Sequence, residues 1–331
     1  MAYSGSEFLD LPQDKPKIHI VEIGAPSRLH LGFMDMAGEL GRKFSSLGIT
    51  LDAPQTRIVC RRAETNAVSG PSSERASKVL EKMRDALGVS EPVEITIQSA
   101  IPEHVGLGSG TQMSLAVGLG TSHLWGKPLS PRQIAATLDR GARSGIGVAS
   151  FEKGGVILDG GRGANTDVPP IISRLPWPED WRIILISDDN HIGLSGQDEL
   201  TGFKTLPPFT SELAGCLCRL MVMQILPALA EEDLNGFGSG VTQLQNKMGD
   251  HFAAAQGGRY TSPHIAAVFE ALSSQGIQGF GQSSWGPTGF ILIKNQVESE
   301  NLLRTLTDGR YSPLKFTLCR GQNTGGTIAC R

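Results

Sequence analysis

Cysteine is sparse in this chain and nowhere arranged for chemistry. The five cysteines, Cys60, Cys216, Cys218, Cys319 and Cys330, include no C-x-x-C pair, and their odd number argues against a disulfide framework. A reduced, cytoplasmic protein is the expectation. Charge of one sign is also lacking. The net charge is only −3 at pH 7, so no strong basic field directs the chain to nucleic acid or to a membrane surface. No uninterrupted apolar run reads as long enough to cross a bilayer, and the polar stretch Met1 to Asp14 has no apolar signal core. What remains is an ordinary globular composition, 39% hydrophobic and 19% charged over 331 residues, with room for two medium domains.

Glycine, by contrast, is plentiful, with 41 residues. It is concentrated where the chain has most to say, in Pro102-Glu103-His104-Val105-Gly106-Leu107-Gly108-Ser109-Gly110-Thr111-Gln112. Before this stretch, Val93 to Ile97 alternates apolar and polar residues as a half-buried strand does. After it, Met113 to Leu119 is apolar and compatible with a helix. The glycines therefore join a strand to a helix start. There they let backbone N–H groups turn toward an anion, and the unpaired amides and positive dipole end of the helix add to the attraction. Gly106, Leu107, Gly108, Ser109, Gly110, Thr111 and Gln112 are the candidate diphosphate-binding residues. No Lys follows Gly110, so this is not a P-loop. The third glycine comes too early for a dinucleotide fingerprint.

The rest of the chain organises around that loop. Residues 1–16 read as a flexible lead-in, and Ile18 to Ile23 as a strand. Arg28 and His30 follow, two residues apart, so an extended backbone points both to one face. They fit either a polar edge strand or a cationic pair aimed at an acidic ligand. Ser46 to Leu51 and Arg57 to Cys60 read as two further strands. Ala76, Leu80, Met83 and Leu87 recur at helical spacing, which predicts an amphipathic helix over 73–87. Ser130-Pro131-Arg132-Gln133 is a helix start with an N-cap, a proline in first position and Gln as third residue. Residues 160–180 read as a linker. Beyond it come a strand over 182–187, an apolar helix over 211–230, a helix starting at Ser262-Pro263, and a second Gly-rich loop from Gly279 to Gly289. A strand over 290–293 and a helix near 297–307 close the pattern. Without regular strand–helix alternation, the order favours an α+β fold.

Three blocks, the Arg28 strand, the Gly106–Gln112 loop and the Gly281–Gly289 loop, resemble the motifs of the GHMP kinase superfamily in their order. That resemblance implies two domains, over 17–175 and 176–331. The first is similar to ribosomal protein S5 domain 2 and the second is ferredoxin-like, with the active site in the cleft between them. One departure stands out. Where many of these kinases carry a carboxylate base, this chain has Ser144-Gly145-Ile146-Gly147, and glycine accepts no proton. The anion cradle with no base resembles the β-ribofuranosylaminobenzene 5′-phosphate synthase family. Gln282-Ser283-Ser284-Trp285-Gly286-Pro287-Thr288-Gly289 is the most specific matching block.

The family resemblance implies condensation of phosphoribosyl diphosphate with a para-substituted benzoate. Diphosphate and carbon dioxide leave, and a carbon–carbon bond forms at the anomeric carbon. It also implies Mg²⁺, no organic cofactor, and a homodimer. Under that reading Arg28, His30, Arg143 and Glu152 are candidates for the chemistry, and Asp35 with Glu152 for holding the metal. Arg42, Ser144, His191, Gln282, Ser283, Ser284 and Trp285 are candidates for binding substrate. His30 or His191 would manage a proton on the para substituent. Trp285 either stacks on the aromatic acid or packs in the core. Two other classes stay open: an ATP-dependent small-molecule kinase and a non-catalytic anion-binding protein. Whether the aromatic acid is 4-hydroxy- or 4-aminobenzoate stays open as well.

Overall fold

The structure is a computed structural model that describes residues 18–191, 193, 201–203 and 205–331. The lead-in expected over residues 1–16 lies outside them. The chain begins with a long hairpin, β1 (Ile20–Asp35) against β2 (Phe44–Arg62), so the two short strands expected over 46–60 form one. Next come β3 (Ala67–Ser69), helix α1 (Ser73–Leu87) and β4 (Val93–Ser99). Three helices follow: α2 (Ser109–Leu124), α3 (Pro131–Thr137) and α4 (Ile146–Lys153). Strands β5 (Val156–Asp159) and β6 (Ile171–Leu175) pair with each other, and β5 pairs with β2. The linker expected over 160–180 therefore contains a strand. Its glycines and prolines make the turns around β6, not a free connection.

The second sheet holds β7 (Arg182–Ser187), β8 (Phe280–Gln282), β9 (Gly289–Ile293) and β10 (Lys315–Cys319), in the order β10-β7-β9-β8 with every pairing antiparallel. Between β7 and β8 run α5 (Ser211–Ala230), α6 (Leu234–Gln256) and α7 (Pro263–Ser274), and α8 (Gln296–Leu306) joins β9 to β10. This is the ferredoxin-like arrangement that the family resemblance implies. The last strand, β11 (Thr327–Cys330), returns to pair with β1. A boundary at 175/176 therefore does not separate the two sheets completely, because the C-terminal strand completes the first one.

Helix α2 is the axis of the first layer. Leu115, Val117 and Leu119 on it are fully buried, each contributing about 1.5–3 kcal/mol by leaving water. Its neighbours come so close that a Cβ at Gly118 would lie 2.4 Å from Ile134 Cγ2. The capping box read at Ser130 is present, with the Ser130 side chain accepting from the Gln133 amide. β1 serves two cores. Val21, Ile23 and Ala25 pack with α1 and α2, while Leu29 and Leu31 pack with the side chains of α5 and α6. Helix α5 is long and apolar enough to span a membrane, where reading the sequence residue by residue found no such run, because Glu212, Arg219 and Gln224 interrupt it. It buries Leu217, Met221 and Ile225 in the core and leaves Val222 and Met223 exposed.

Candidate active site

The register of β1 against β2 shifts twice, between Pro26 and Arg28 and between His30 and Gly32. Such bulges re-aim side chains near functional sites, and these two bracket the Arg28–His30 pair. Arg28 donates to the carbonyl of Gly106, while its own amide donates to Leu107 O at 3.1 Å. The arginine thus braces the Gly-rich loop from below. Gly106 and Gly108 sit at φ +81° and +86°, in the left-handed region where side chains are strained. Gly108 is the N-cap of α2 and brings no side-chain cap, so the first amides of the helix are left for another acceptor. Leu107 is buried in the core and pins the loop.

A cleft of about 880 Å³ opens over this helix start. One end is cationic. A Cβ built on Gly110 would lie 3.0 Å from Nη1 of Arg75 and 3.7 Å from Nη1 of Arg140, so two guanidiniums converge on the first turn of α2. Arg75 donates to Glu103 Oε2 at 2.7 Å and Arg140 to Ser114 Oγ at 3.0 Å. Burial, and then the charge of Arg75, hold Arg140 below its ordinary basicity. Two like charges sharing a helix N-terminus form a site whose electrostatics are relieved by an anion. The other end carries rings. Phe33, His30 and Trp285 line it, with Trp285 set against Phe252 and Phe203 at 4.5 and 5.2 Å between centroids. The Arg143 guanidinium carbon lies 5.1 Å from the centre of the Phe203 ring.

Gly147, where the sequence resemblance expects a kinase base, lies in the first turn of α4. A Cβ there would meet Thr111 Cγ2 at 3.1 Å and Thr111 Cβ at 3.3 Å. Gln112 donates to its carbonyl at 2.7 Å. Any side chain at Gly147 would press on Thr111 in the first turn of α2, which would have to give by a few tenths of an ångström.

Residues 74–155 match the GHMP kinases N terminal domain family, and residues 225–311 the GHMP kinases C terminal family. Beta-ribofuranosylphenol 5′-phosphate synthase of Methanothermobacter thermautotrophicus is 33% identical over 287 residues, covering 80% of this chain and 86% of that protein. The enzyme of the same name from Archaeoglobus fulgidus is 34% identical over 315 residues, covering 91% and 95%. The chain belongs to the β-ribofuranosylphenol 5′-phosphate synthase family. Among solved structures, mevalonate diphosphate decarboxylase from Enterococcus faecalis superposes with a TM-score of 0.68 at 15% identity, covering 95% of this chain and 100% of that one, which shows the common fold.

In this synthase-family chain the candidate residues divide into two groups. Arg28, His30, Arg143, Ser144, Ser284 and Trp285 line the cleft, together with Gly106, Gly108, Ser109, Gly110 and Thr111. His30 is buried, and its Nε2 has no hydrogen-bond partner. Burial first, then the charges of Arg28 and Arg143, push its pKa down to about 3, so the ring is neutral.

The second group supports the cleft from behind or stands apart from it. Ser283 Oγ donates to Gly106 O and accepts from the His30 amide. Gln282 accepts from the Thr261 amide at 2.7 Å. Arg42 donates to the carbonyls of Gly160 and Gly161 at 2.7 and 2.8 Å and does not reach the cleft. His191 turns to Asp188 instead. Asp35 and Glu152, expected to share a metal, are not brought together. Asp35 accepts from the amides of Ala37 and Gly38, closing the turn after β1, and Glu152 pairs with Arg132 at 3.2 Å. Both carboxylates are satisfied locally, and neither lines the cleft.

Three residues not read from the sequence matter here. Arg75 and Arg140 were hidden because one lies on α1 and the other in the turn after α3, far apart along the chain. Asp159 is a fully buried carboxylate that accepts from the amides of Ser46, Gly145 and Gly161 at 2.8–3.1 Å and so shapes the turn after Arg143. Burial raises its pKa against those hydrogen bonds. The signal was available in the sequence: a lone Asp closes the apolar run Val156-Ile157-Leu158.

Proposed function

We propose that this chain condenses 5-phosphoribosyl 1-diphosphate with 4-hydroxybenzoate, releasing diphosphate and carbon dioxide and forming a C-riboside 5′-phosphate for tetrahydromethanopterin biosynthesis. The choice of hydroxyl over amino follows the phenol in the relatives' name. The observation that carries the reading is the pairing of an intact anion cradle with Gly147. The helix start and its two guanidiniums suit a leaving diphosphate, while Gly147, packed closely against Thr111, offers no carboxylate to act as a kinase base.

The bookkeeping of the reaction fits the two ends of the cleft. The ring carbon bearing the carboxylate attacks the anomeric carbon as the C–O bond to diphosphate breaks. The C–CO₂ bond then breaks, and its electron pair restores the aromatic ring. No net proton transfer is needed. Amides at the start of α2, with Arg75 and Arg140, stabilise the charge that develops on the leaving diphosphate. Phe33 and Trp285 hold the flat acid, with the neutral His30 ring beside it to hydrogen-bond the hydroxyl. Arg143 orients the carboxylate. A tight grip there would oppose decarboxylation, since it would stabilise the ground state. Residues of the second Gly-rich loop, Ser284 foremost, suit the 5′-phosphate.

Mg²⁺ enters this proposal only as a companion of the diphosphate oxygens. Asp35 and Glu152 do not fit a shared ion, and no step depends on one. A homodimer belongs to the proposal on the family resemblance alone, and light scattering after size exclusion tests it.

The experiment is turnover of phosphoribosyl diphosphate with 4-hydroxybenzoate and with 4-aminobenzoate, following diphosphate and carbon dioxide together. Equimolar release that depends on the hydroxy acid is the expected outcome. Phosphorylation of an alcohol by ATP with neither product formed would overturn it.

A further inference from the structure

Behind the second Gly-rich loop, where β7 ends and α7 begins, Asp188, His191 and His264 come together. One ligand atom from each lies within 4.8 Å of the other two. The Asp188 side chain is fully buried, and its Oδ2 lies 2.9 Å from Nδ1 of His191 and 3.1 Å from Nδ1 of His264. The same oxygen accepts from Ser262 Oγ at 2.6 Å, and Oδ1 accepts from the Asn190 amide at 3.0 Å. A single carboxylate oxygen thus faces one hydroxyl and two imidazole nitrogens. One of them, His191 Nδ1, is buried and makes no hydrogen bond despite its closeness. A buried nitrogen beside a carboxylate, yet not bonded to it, is arranged as a ligand would be. Ligand atoms about 2.1 Å from a shared tetrahedral ion stand roughly 3.4 Å apart, close to the 2.9 and 3.1 Å that separate Asp188 Oδ2 from the two imidazole nitrogens.

We propose that Asp188, His191 and His264 bind one transition-metal ion of the zinc class. Two imidazoles and one carboxylate suit Zn²⁺, Co²⁺ or Fe²⁺, whereas Mg²⁺ favours oxygen ligands. The site is therefore distinct in chemistry from any ion that arrives with diphosphate. Three protein ligands leave a position open, and the half-exposed His264 puts it at the surface.

The neighbours give the ion its role. Thr261, next to the Ser262 that bonds Asp188, donates its amide to Gln282 Oε1 at 2.7 Å and its hydroxyl to Trp285 O at 3.2 Å. Gly193 donates to His104 O at 3.2 Å, on the rim of the cleft. An ion here pins the end of β7 to the start of α7 and, through Thr261, steadies the loop that carries Trp285.

The test needs no substrate. The full-length, untagged protein is stripped with a chelator and titrated with Co²⁺, following ligand-field absorption, and then with Zn²⁺ in competition. Melting temperature is measured with and without Zn²⁺. One equivalent of Co²⁺ is expected, displaced by Zn²⁺ but not by excess Mg²⁺, with Zn²⁺ raising the melting temperature. In His264→Gln and His191→Gln the affinity falls at least about tenfold and the thermal shift disappears, while circular dichroism is unchanged. His264→Gln carries the test because Asp188→Asn disturbs a fully buried carboxylate and endangers folding. Binding of equal strength in the wild type and both variants would put the ion elsewhere, for example on the exposed Cys216 and Cys218, and overturn the proposal. So would the absence of any Co²⁺ signal.

Discussion

The hydroxyl of Ser283 donates to the carbonyl of Gly106 at 2.7 Å, tying together two Gly-rich loops 177 residues apart. The same oxygen accepts from the His30 amide at 3.0 Å, so β1 joins the junction. Both Gly-rich loops and β1 therefore meet at one buried serine. Ser283→Ala takes the hydroxyl acceptor from the buried His30 amide and leaves the Gly106 carbonyl with only its bond from Arg28. It is expected to cost about 1–3 kcal/mol of stability and to reduce turnover more than the lowered melting temperature explains. Calorimetry alongside kcat/KM separates the two effects. Unchanged values in both would remove Ser283 from its bracing role.

Two glycines of the loop should behave differently under the same substitution. At Gly106 a Cβ would meet Ser283 O at 2.2 Å from a residue at φ +81°, so both the backbone conformation and a neighbouring backbone atom oppose it. At Gly110 the nearest atom is the end of the Arg75 side chain at 3.0 Å, which can swing away. Gly106→Ala should lower the melting temperature and abolish activity. Gly110→Ala should leave the melting temperature close to wild type but raise KM for phosphoribosyl diphosphate by displacing a guanidinium. Equal losses of stability in the two variants would contradict this geometry.

The contrast between these glycines shows what the sequence could and could not display. The strand–loop–helix unit was legible because hydrophobic period and glycine placement are local properties; α1 spans the expected 73–87, while α2 begins at Ser109, ahead of the apolar run from Met113, so Ser109 to Gln112 form its first turn. The ferredoxin-like order followed from resemblance, not from periodicity. Long-range pairing was hidden: nothing near Thr327 announces that β11 closes on β1. The site was half legible. Residues attached to the two loops, such as Ser284 and Trp285, reach the cleft because the loops themselves form it. Asp35 and Glu152 were chosen as carboxylates within matched blocks, yet each has a nearby donor that uses it. Arg75 looked like one charge among several on an amphipathic helix, because the helical pattern does not reveal which other helix a guanidinium will face.

Arg75 and Arg140 therefore offer a direct test of the anion end. Each charge-assisted hydrogen bond to phosphate is worth about 1.5–3 kcal/mol. Arg75→Met and Arg140→Met should each weaken diphosphate as a product inhibitor by roughly 10- to 100-fold, with a shallower dependence on salt. KM for the aromatic acid should hardly change, since the rings lie at the other end. Inhibition constants measured at two ionic strengths decide the matter. A loss confined to the aromatic acid would reverse the assignment of the two ends.

His30 makes a prediction in pH. Burial, then the charge of Arg28 and that of Arg143, hold its pKa at about 3 against an ordinary 6.5. Between those values the unfolded chain takes a proton that the folded chain refuses. The folded state thus has its full advantage above pH 6.5 and loses stability as pH falls toward 3, at up to about 1.4 kcal/mol per unit. His30→Gln should flatten the fall in melting temperature between pH 6.5 and about 4. Parallel curves for the two proteins would show that another group governs acid sensitivity. The same physics constrains catalysis. A ring this reluctant to charge is a poor proton acceptor in the free enzyme but a good neutral hydrogen-bonding partner, so kcat/KM should show no His30 titration from pH 5 to 8. A bound aromatic carboxylate offsets the charge of Arg143 and should move the His30 pKa upward. NMR of the imidazole, recorded with and without the aromatic acid, would report that shift. A ring that titrates near 6.5 in the free protein would return His30 to the role of general base.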